Sequence, residues 1–290
     1  MLRLTVKNLV ANRVRFAMTT FAVVLAVAFV VSSFVLTDGL RSSFNDLSTE
    51  IVSGTDLEIR PIDDGFGTVE RIPESLIGQI ATTDGVASSA GLIEADMTIR
   101  PINAEGEKIS TDGPPQLTFG WIDDPGLSSF RLIDGDAPRA GNEFSMDFDA
   151  AATHGFDVGA TYDVITPRGV QQLTLSGLTS FGQDNATLGA TLMQMNSAAL
   201  QDLLGVDGFD SIVISVEETA DAARVMASLA NLAPGYEVVD NATIERETVA
   251  DFNQGIDIIG NALLGFAGVS LFVSIFIIAN TFNIVLGQRT

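Results

Sequence analysis

The sequence predicts an α+β extracytoplasmic domain with an inserted β-rich subdomain, flanked by two transmembrane helices extended as stalks. Three observations predict it. Two uncharged runs, 16–37 and 258–288, hold 22 and 31 residues, and a helix needs roughly 20 apolar residues to cross a bilayer core. All 37 acidic residues lie in 38–257 with 10 of the 15 basic ones, a local net charge of −27. The first 37 residues carry Arg3, Lys7, Arg13 and Arg15 and no acid, and basic flanks of a span stay in the cytoplasm. The segment between the runs therefore faces outward.

Residues 1–15, MLRLTVKNLVANRVR, set Leu2, Val6, Leu9 and Val10 opposite Arg3, Lys7 and Arg13, a basic amphipathic segment suited to the inner membrane surface. Residues 16–37 form the first transmembrane helix. Their apolar run is too long for a signal peptide, and the A-x-A string, Ala26-Val27-Ala28, lies mid-span, so the helix stays as an anchor. The helix continues outward as a stalk over 38–54, where Leu40, Phe44, Leu47 and Ile51 step along one face. Gly54 and Thr55 mark its end.

Residues 55–242 are the extracytoplasmic core domain. With no cysteine in the chain, it must be held by its core, not by disulfides. TDLEIRPI (55–62), SSAGLIEADMTIRPI (88–102), DSIVISV (210–216) and YEVVD (236–240) read as strands. PESLIGQIATT (73–83), MNSAALQDLLGV (195–206) and ETADAARVMASLANLAP (218–234) read as helices. The order strand–helix–strand, insertion, helix–strand–helix–strand assigns 55–102 and 191–242 to an α+β part. Residues 103–190, rich in Gly, Asp and Pro with short β patterns such as QQLTLSGL, form the β-rich insert.

A second stalk over 243–261 leads into the second transmembrane helix, 262–286. Asn241 or Thr243 is positioned to cap it. Val249, Phe252, Ile256, Ile259, Leu263 and Phe266 make a heptad seam running from water into lipid. At 1.5 Å per residue the helix would extend roughly 70 Å, beyond the ~30 Å bilayer core. Asn261, Gly265, Gly268 and Asn283 share another stripe, where small residues admit close helix contact and amides bond across it. Such a stripe is expected to meet further membrane helices.

The chemistry excluded is as informative. A phosphate-binding loop needs Gly-Lys-Ser/Thr, but the lysines are Lys7 after Val6 and Lys108 after Glu107. One histidine, His154, no cysteine and no G-x-S-x-G leave neither a hydrolase triad nor a transition-metal site. The acidic strings at 63–64, 134–136 and 147–149 lack EF-hand spacing and read as turns or solvated acid. Trp121 is expected in the core. The acidic balance argues against nucleic acid, which wants Lys and Arg. No catalytic residue, metal site or cofactor is expected.

The chain resembles the amino-terminal part of FtsX-like, MacB-type ABC transporter permeases. The resemblance is carried by LTVKNLVANRVRFAMTTFAVVLAVAFVVSSFVLTDGL, by FRLIDGDAPRAGNEF (130–144), THGFDVGATYDV (153–164) and LTLSGLTSF (173–181), and by ALLGFAGVSLFVSIFIIANTFNIVLGQRT. Ala160 stands where Asp is common in the family. The resemblance implies a periplasmic core domain with a β-rich insert, in the bacterial inner membrane, amino terminus inside. It also implies more spans after the second, which would open a truncated FtsX-like domain. The implied partners are a cytoplasmic ABC ATPase, a second permease copy or sister permease, and membrane lipid. Stalk residues Leu40, Phe44, Leu47, Val249, Phe252 and Ile256 would couple ATP-driven motion to the outside, and Asn261, Gly265, Gly268 and Asn283 would pack helices. The alternative is a two-span extracytoplasmic sensor or receptor, which shares the topology but would continue into a signalling domain.

Overall fold

A computed structural model of the chain describes residues 13–287 apart from 52–53, 63–69, 110–114, 183–184, 186 and 188. The basic segment 1–15 thus lies almost wholly outside the described residues, as do Asp63 and Asp64. The side chains of Leu40, Phe44, Leu47, Phe252 and Asn283 lie outside them too. Contacts divide the chain into two units, Leu47–Glu247 and Met1–Asp46 with Thr248–Thr290.

The larger unit contains two sheets. In the first, β1 (Leu57–Pro61), β2 (Val86–Leu92), β11 (Ser211–Val216) and β12 (Tyr236–Asp240) stand in the order β12-β1-β11-β2. All neighbours are antiparallel. Helix α2 (Ser75–Ile80) follows β1 and α5 (Ala222–Leu232) follows β11, so the sheet is a split β-α-β pair. The alternation of β1 puts Leu57 and Ile59 in a core with Ile80, Ile212, Ile214 and Leu229 and turns Glu58 and Arg60 to the other face.

The second sheet takes β3 (Glu94–Asp96), β4 (Arg100–Pro101), β5 (Gln116–Gly120), β6 (Phe130–Gly135), β7 (Glu143–Asp147), β8 (Thr161–Thr166), β9 (Gly169–Phe181) and β10 (Thr191–Met195). Its order is β3-β5-β10-β7-β9-β8-β4, with β6 also on β9. The short α3 (Phe148–His154) and α4 (Ser197–Leu204) complete it.

The insert is therefore wider than the 103–190 expected. β3 pairs with β5 and β4 with β8, while Leu200 and Leu203 of α4 join Ile93, Phe144 and Met193 in one core. Residues 93–102 and 191–209 bury their apolar faces there and not on the four-stranded sheet. The strand expected over 88–102 is three pieces, interrupted at Ile93 and again after Asp96, where Met97 takes a φ of 50°.

In the smaller unit, α1 (Arg13–Ile51) and α6 (Asn241–Gly287) are long helices, the second with its first turns in the larger unit. Each merges the expected stalk and span without a break. Among the described residues one helix, Asn241–Asn280, is long and apolar enough to cross a membrane, and Val23–Gly39 is a shorter apolar stretch.

Candidate coupling sites at the helix root and in the helix pair

The root of α6 is built where β12 ends and the helix begins without a linker. Asp240, last in the strand, accepts from the Thr243 N–H at 2.9 Å. It is the helix cap, in place of the expected Asn241 or Thr243. The Thr243 hydroxyl and N–H hold its carboxyl below the ordinary range. Asn241 instead binds backward: its N–H donates to the Asp56 carbonyl at 3.0 Å and its Nδ2 to the Thr55 carbonyl at 2.6 Å. The Asp56 carboxylate accepts from the Val216 N–H at 2.7 Å, which fastens the same point to β11.

Arg60 ties the second turn of α6 to the sheet. Its Nε and Nη2 donate to Glu237 at 3.0 and 2.9 Å, and its Nη1 donates to Glu247 at 2.5 Å. Arg60 and Glu237 are direct cross-strand partners, where opposite charges favour pairing. The Glu247 hydrogen bond, followed by Glu237, raises the affinity of Arg60 for its proton. Arg60 in turn holds Glu247 below the usual carboxylate range. Burial pushes Glu58 up.

The helix pair is a separate arrangement. Arg41 on α1 pairs with Asp257 on α6, and a Cβ added at Gly260 would lie 3.6 Å from Thr37. The residues pair in reverse order, so the helices are antiparallel. The line on α6 that meets α1 is Ile256, Gly260, Leu263, Ala267 and Ser274, with Ile256, Ala267 and Ser274 buried. This corrects the expected seam: Ile259 and Phe266 are 53% and 68% exposed. The seam keeps Ile256 and Leu263 and its three–four stepping, but the positions between and after them fall one residue later, at Gly260 and Ala267, where small side chains let the backbones approach. On α1, Ala26 and Ser33 are buried. The Ser33, Thr37 and Ser274 hydroxyls each donate to a carbonyl four residues earlier on their own helix, which satisfies them without a partner across the contact.

Of the residues singled out in the sequence, Ile256 is buried in the pair and Val249 is half-buried. Asn261, Gly265 and Gly268 are exposed, on a side of α6 that α1 does not cover. Sequence reasoning missed the root: Asp56 and Arg60 lie far along the chain from Glu237, Asp240 and Glu247, and no local pattern shows that β1 meets β12 and the start of α6. Trp121, expected in the core, is half-exposed and donates its indole N–H to Asp123 at 3.1 Å. Nearby acid has structural partners: Asp147 caps α3 through the Ala150 N–H, and Asp149 accepts from Asn185. His154 ends α3, half-exposed.

Comparison with known proteins bears on what such an arrangement serves. The model of the MacB-like periplasmic core domain matches residues 16–232. The periplasmic region of MacB from Actinobacillus actinomycetemcomitans is similar in fold, with a TM-score of 0.51 at 13% identity over 68% of this chain and 94% of that one. The extracellular domain of the noncanonic ABC-type transporter YknZ from Gram-positive bacteria gives a TM-score of 0.45 at 14% identity, over 64% and 99%. No curated protein sequence matches the chain. The family match runs from the first apolar helix through the insert to the end of α5, and the chain belongs to the MacB-like periplasmic core domain family of ABC transporter permeases.

Proposed function

We propose that the chain is part of a permease subunit in which ATP hydrolysis by a cytoplasmic partner ATPase drives motion of the extracytoplasmic domain, for export or extraction of a substrate. One observation carries this reading. A single unbroken helix, Asn241–Gly287, includes both the residues clamped to the sheet and the apolar stretch that packs on α1. At 1.5 Å per residue its 47 residues extend about 70 Å, more than twice a bilayer core. A rod of that length can carry displacement from the cytoplasmic face to the outside.

The basic amino-terminal residues support an orientation with that end in the cytoplasm of a bacterial cell and the main domain outside. Leu40, Phe44, Leu47, Val249, Phe252 and Ile256 are the coupling positions of the paired rods. The stripe of Asn261, Gly265, Gly268 and Asn283 is the face offered to further spans, or to a second permease copy or sister permease, within the lipid. This sequence has no Gly-Lys-Ser/Thr loop, which fits a reading in which a partner ATPase hydrolyses the nucleotide.

The test replaces Phe252 and Ile256 with Asp in the full-length permease assembled with its ATPase. A desolvated carboxylate on the seam costs several kcal/mol, so the nucleotide-dependent distance change between spin labels on the extracytoplasmic domain should fall about tenfold or more while hydrolysis continues. Hydrolysis still coupled to that motion would overturn the reading.

A further inference from the structure

The insert leaves the four-stranded sheet after Leu92 and returns to it at Asp210, where the two crossings are tied to each other. The Asp210 N–H donates to the Leu92 carbonyl at 2.9 Å, and its Oδ2 accepts the Glu94 N–H at 2.9 Å. Arg71, just before α2, donates to both oxygens of the same carboxylate, Nη2 to Oδ1 at 2.9 Å and Nη1 to Oδ2 at 3.1 Å. Beside this pair, Ile72 and Phe209 exchange two backbone hydrogen bonds of 2.8 Å. Ile72 belongs to the core of the first sheet and Phe209 to that of the second. The Phe209 ring lies on Gly91 of β2, where an added Cβ would come within 2.4 Å of it. Ile77 of α2 packs against both cores.

A joint of two tied crossings resists twisting but can still bend, and a cleft of about 620 Å³ opens beside it. Arg71, Pro73 and Glu74 line the cleft from the sheet side, and Gln201 and Asp207 from the insert. The ion pair on its wall, Arg168 with Asp202, lies wholly within the insert, so it does not hold the cleft shut. A second attachment sits apart from the joint, at the turn 124–128 between β5 and β6. The N–H groups of Gly126, Leu127 and Ser128 close this turn on Asp124 at 2.8, 3.1 and 3.0 Å. The Gly126 carbonyl oxygen stands 1.7 Å from where a Gly54 Cβ would lie, Leu127 is buried, and Ser88 of β2 hydrogen-bonds the Asp124 carboxylate. Ser88 is four residues along β2 from Leu92, about 13 Å at roughly 3.3 Å per residue.

We propose that these two attachments lock the four-stranded sheet and the insert into one rigid body, with Asp210 as the positioning residue of the joint. The second attachment removes the bending that the joint alone would leave. Asp210 is where the 71–72 segment and both crossings meet, and its carboxylate bonds are charge-assisted, roughly twice as strong as neutral ones. Without that carboxylate, Arg71 loses both of its bonds to the joint and the Glu94 N–H loses its acceptor. Only the neutral bonds between Ile72 and Phe209 and the Leu92 bond would then tie the crossing. The lock is a property of the folded domain and is independent of the transport reading. Given that reading, displacement at the root of α6 carries the insert with it.

The experiment attaches spin labels at Ala227→Cys on α5 and Gln171→Cys on β9, both exposed positions in a chain with no cysteine of its own. The full chain is held in phosphatidylcholine nanodiscs without ATPase or nucleotide, and the distance between the labels is measured. A single narrow distribution is expected. Asp210→Ala should widen it and speed exchange of the Ile72 and Phe209 amides about tenfold or more, the scale of a lost charged hydrogen bond. Those amides do not bond Asp210 themselves, so their exchange reports the joint. The Ile214 and Leu175 amides should keep their protection, as one core each reports. Asp124→Ala should widen the distribution and leave exchange at Ile72 and Phe209 unchanged. If Asp210→Ala exposes either core, Arg71→Ala, which leaves Asp210 bonded to Glu94 and Leu92, is read in its place with the same expectations. A broad or two-peaked distribution in the labelled chain itself would overturn the proposal. So would a width that either the joint variant or Asp124→Ala leaves unchanged.

Discussion

Gly54 shows how much a single position can hold. Its φ is +90°, and a Cβ there would lie 1.7 Å from the Gly126 carbonyl oxygen. Neither the backbone conformation nor the space admits a side chain, since non-glycine residues are strained in that region and the obstacle is main chain. Gly54→Ala should lower stability by about 2–4 kcal/mol, seen as a lower denaturation midpoint with an unchanged slope. A loss under about 0.5 kcal/mol would mean that the 124–128 turn moves aside freely. The sequence marks Gly54 as a helix end but carries no signal for Gly126, 72 positions on. The Arg60 cluster was hidden for the same reason, as alternation shows that Glu58 and Arg60 share a face without showing what covers it.

At the scale of elements, regular patterns were legible and packing choices were not. β1, β11 and β12, and helices α2, α4 and α5, lie where alternation and helical stepping put them. β10 escaped because all five residues of TLMQM are buried, so a central strand covered on both faces has no alternation to read. Its Gln194 accepts from the Ser145 and Thr179 hydroxyls at 2.8 and 2.9 Å, a polar set in a core position that hydropathy reads as surface. Two positions of the α6 seam, Ile259 and Phe266, were misplaced because periodicity weights bulky side chains, whereas close helix contact selects Gly260 and Ala267. The cap was misplaced likewise: Asn241 is a good capping type, but its side chain is turned back toward β1, where its Nδ2 donates to the Thr55 carbonyl, and Asp240 accepts from the first turn instead. Asp240→Ala should free the first turn and raise exchange at 241–244 before any other segment. Unchanged exchange there would shift the capping role to water or to Thr243 itself.

For the whole molecule, composition separates apolar ends from an acidic centre, but the sheet order needs more. β2 and β11 are neighbours although 118 residues, 93–210, lie between them, and no local pattern records such a pairing. The acidic centre has its own consequence. Arg60, Arg71, Arg139 and Arg168 are each paired with a carboxylate, and with 37 acidic residues against 15 basic ones the excess acids repel one another. Two apolar cores and no disulfide must hold against that repulsion. Screening shortens from about 30 Å at 0.01 M salt to about 10 Å at 0.1 M, which weakens repulsion between distant acids far more than the contact pairs of Arg60. The melting temperature should therefore rise by about 2–4 °C between 0.01 and 0.5 M sodium chloride, corresponding to about 1 kcal/mol. Choline chloride should act equally, because the effect is ionic strength and not a bound cation. A fall in melting temperature with salt would mean that the ion pairs outweigh the unpaired acid, and a rise with sodium alone would point to specific cation binding.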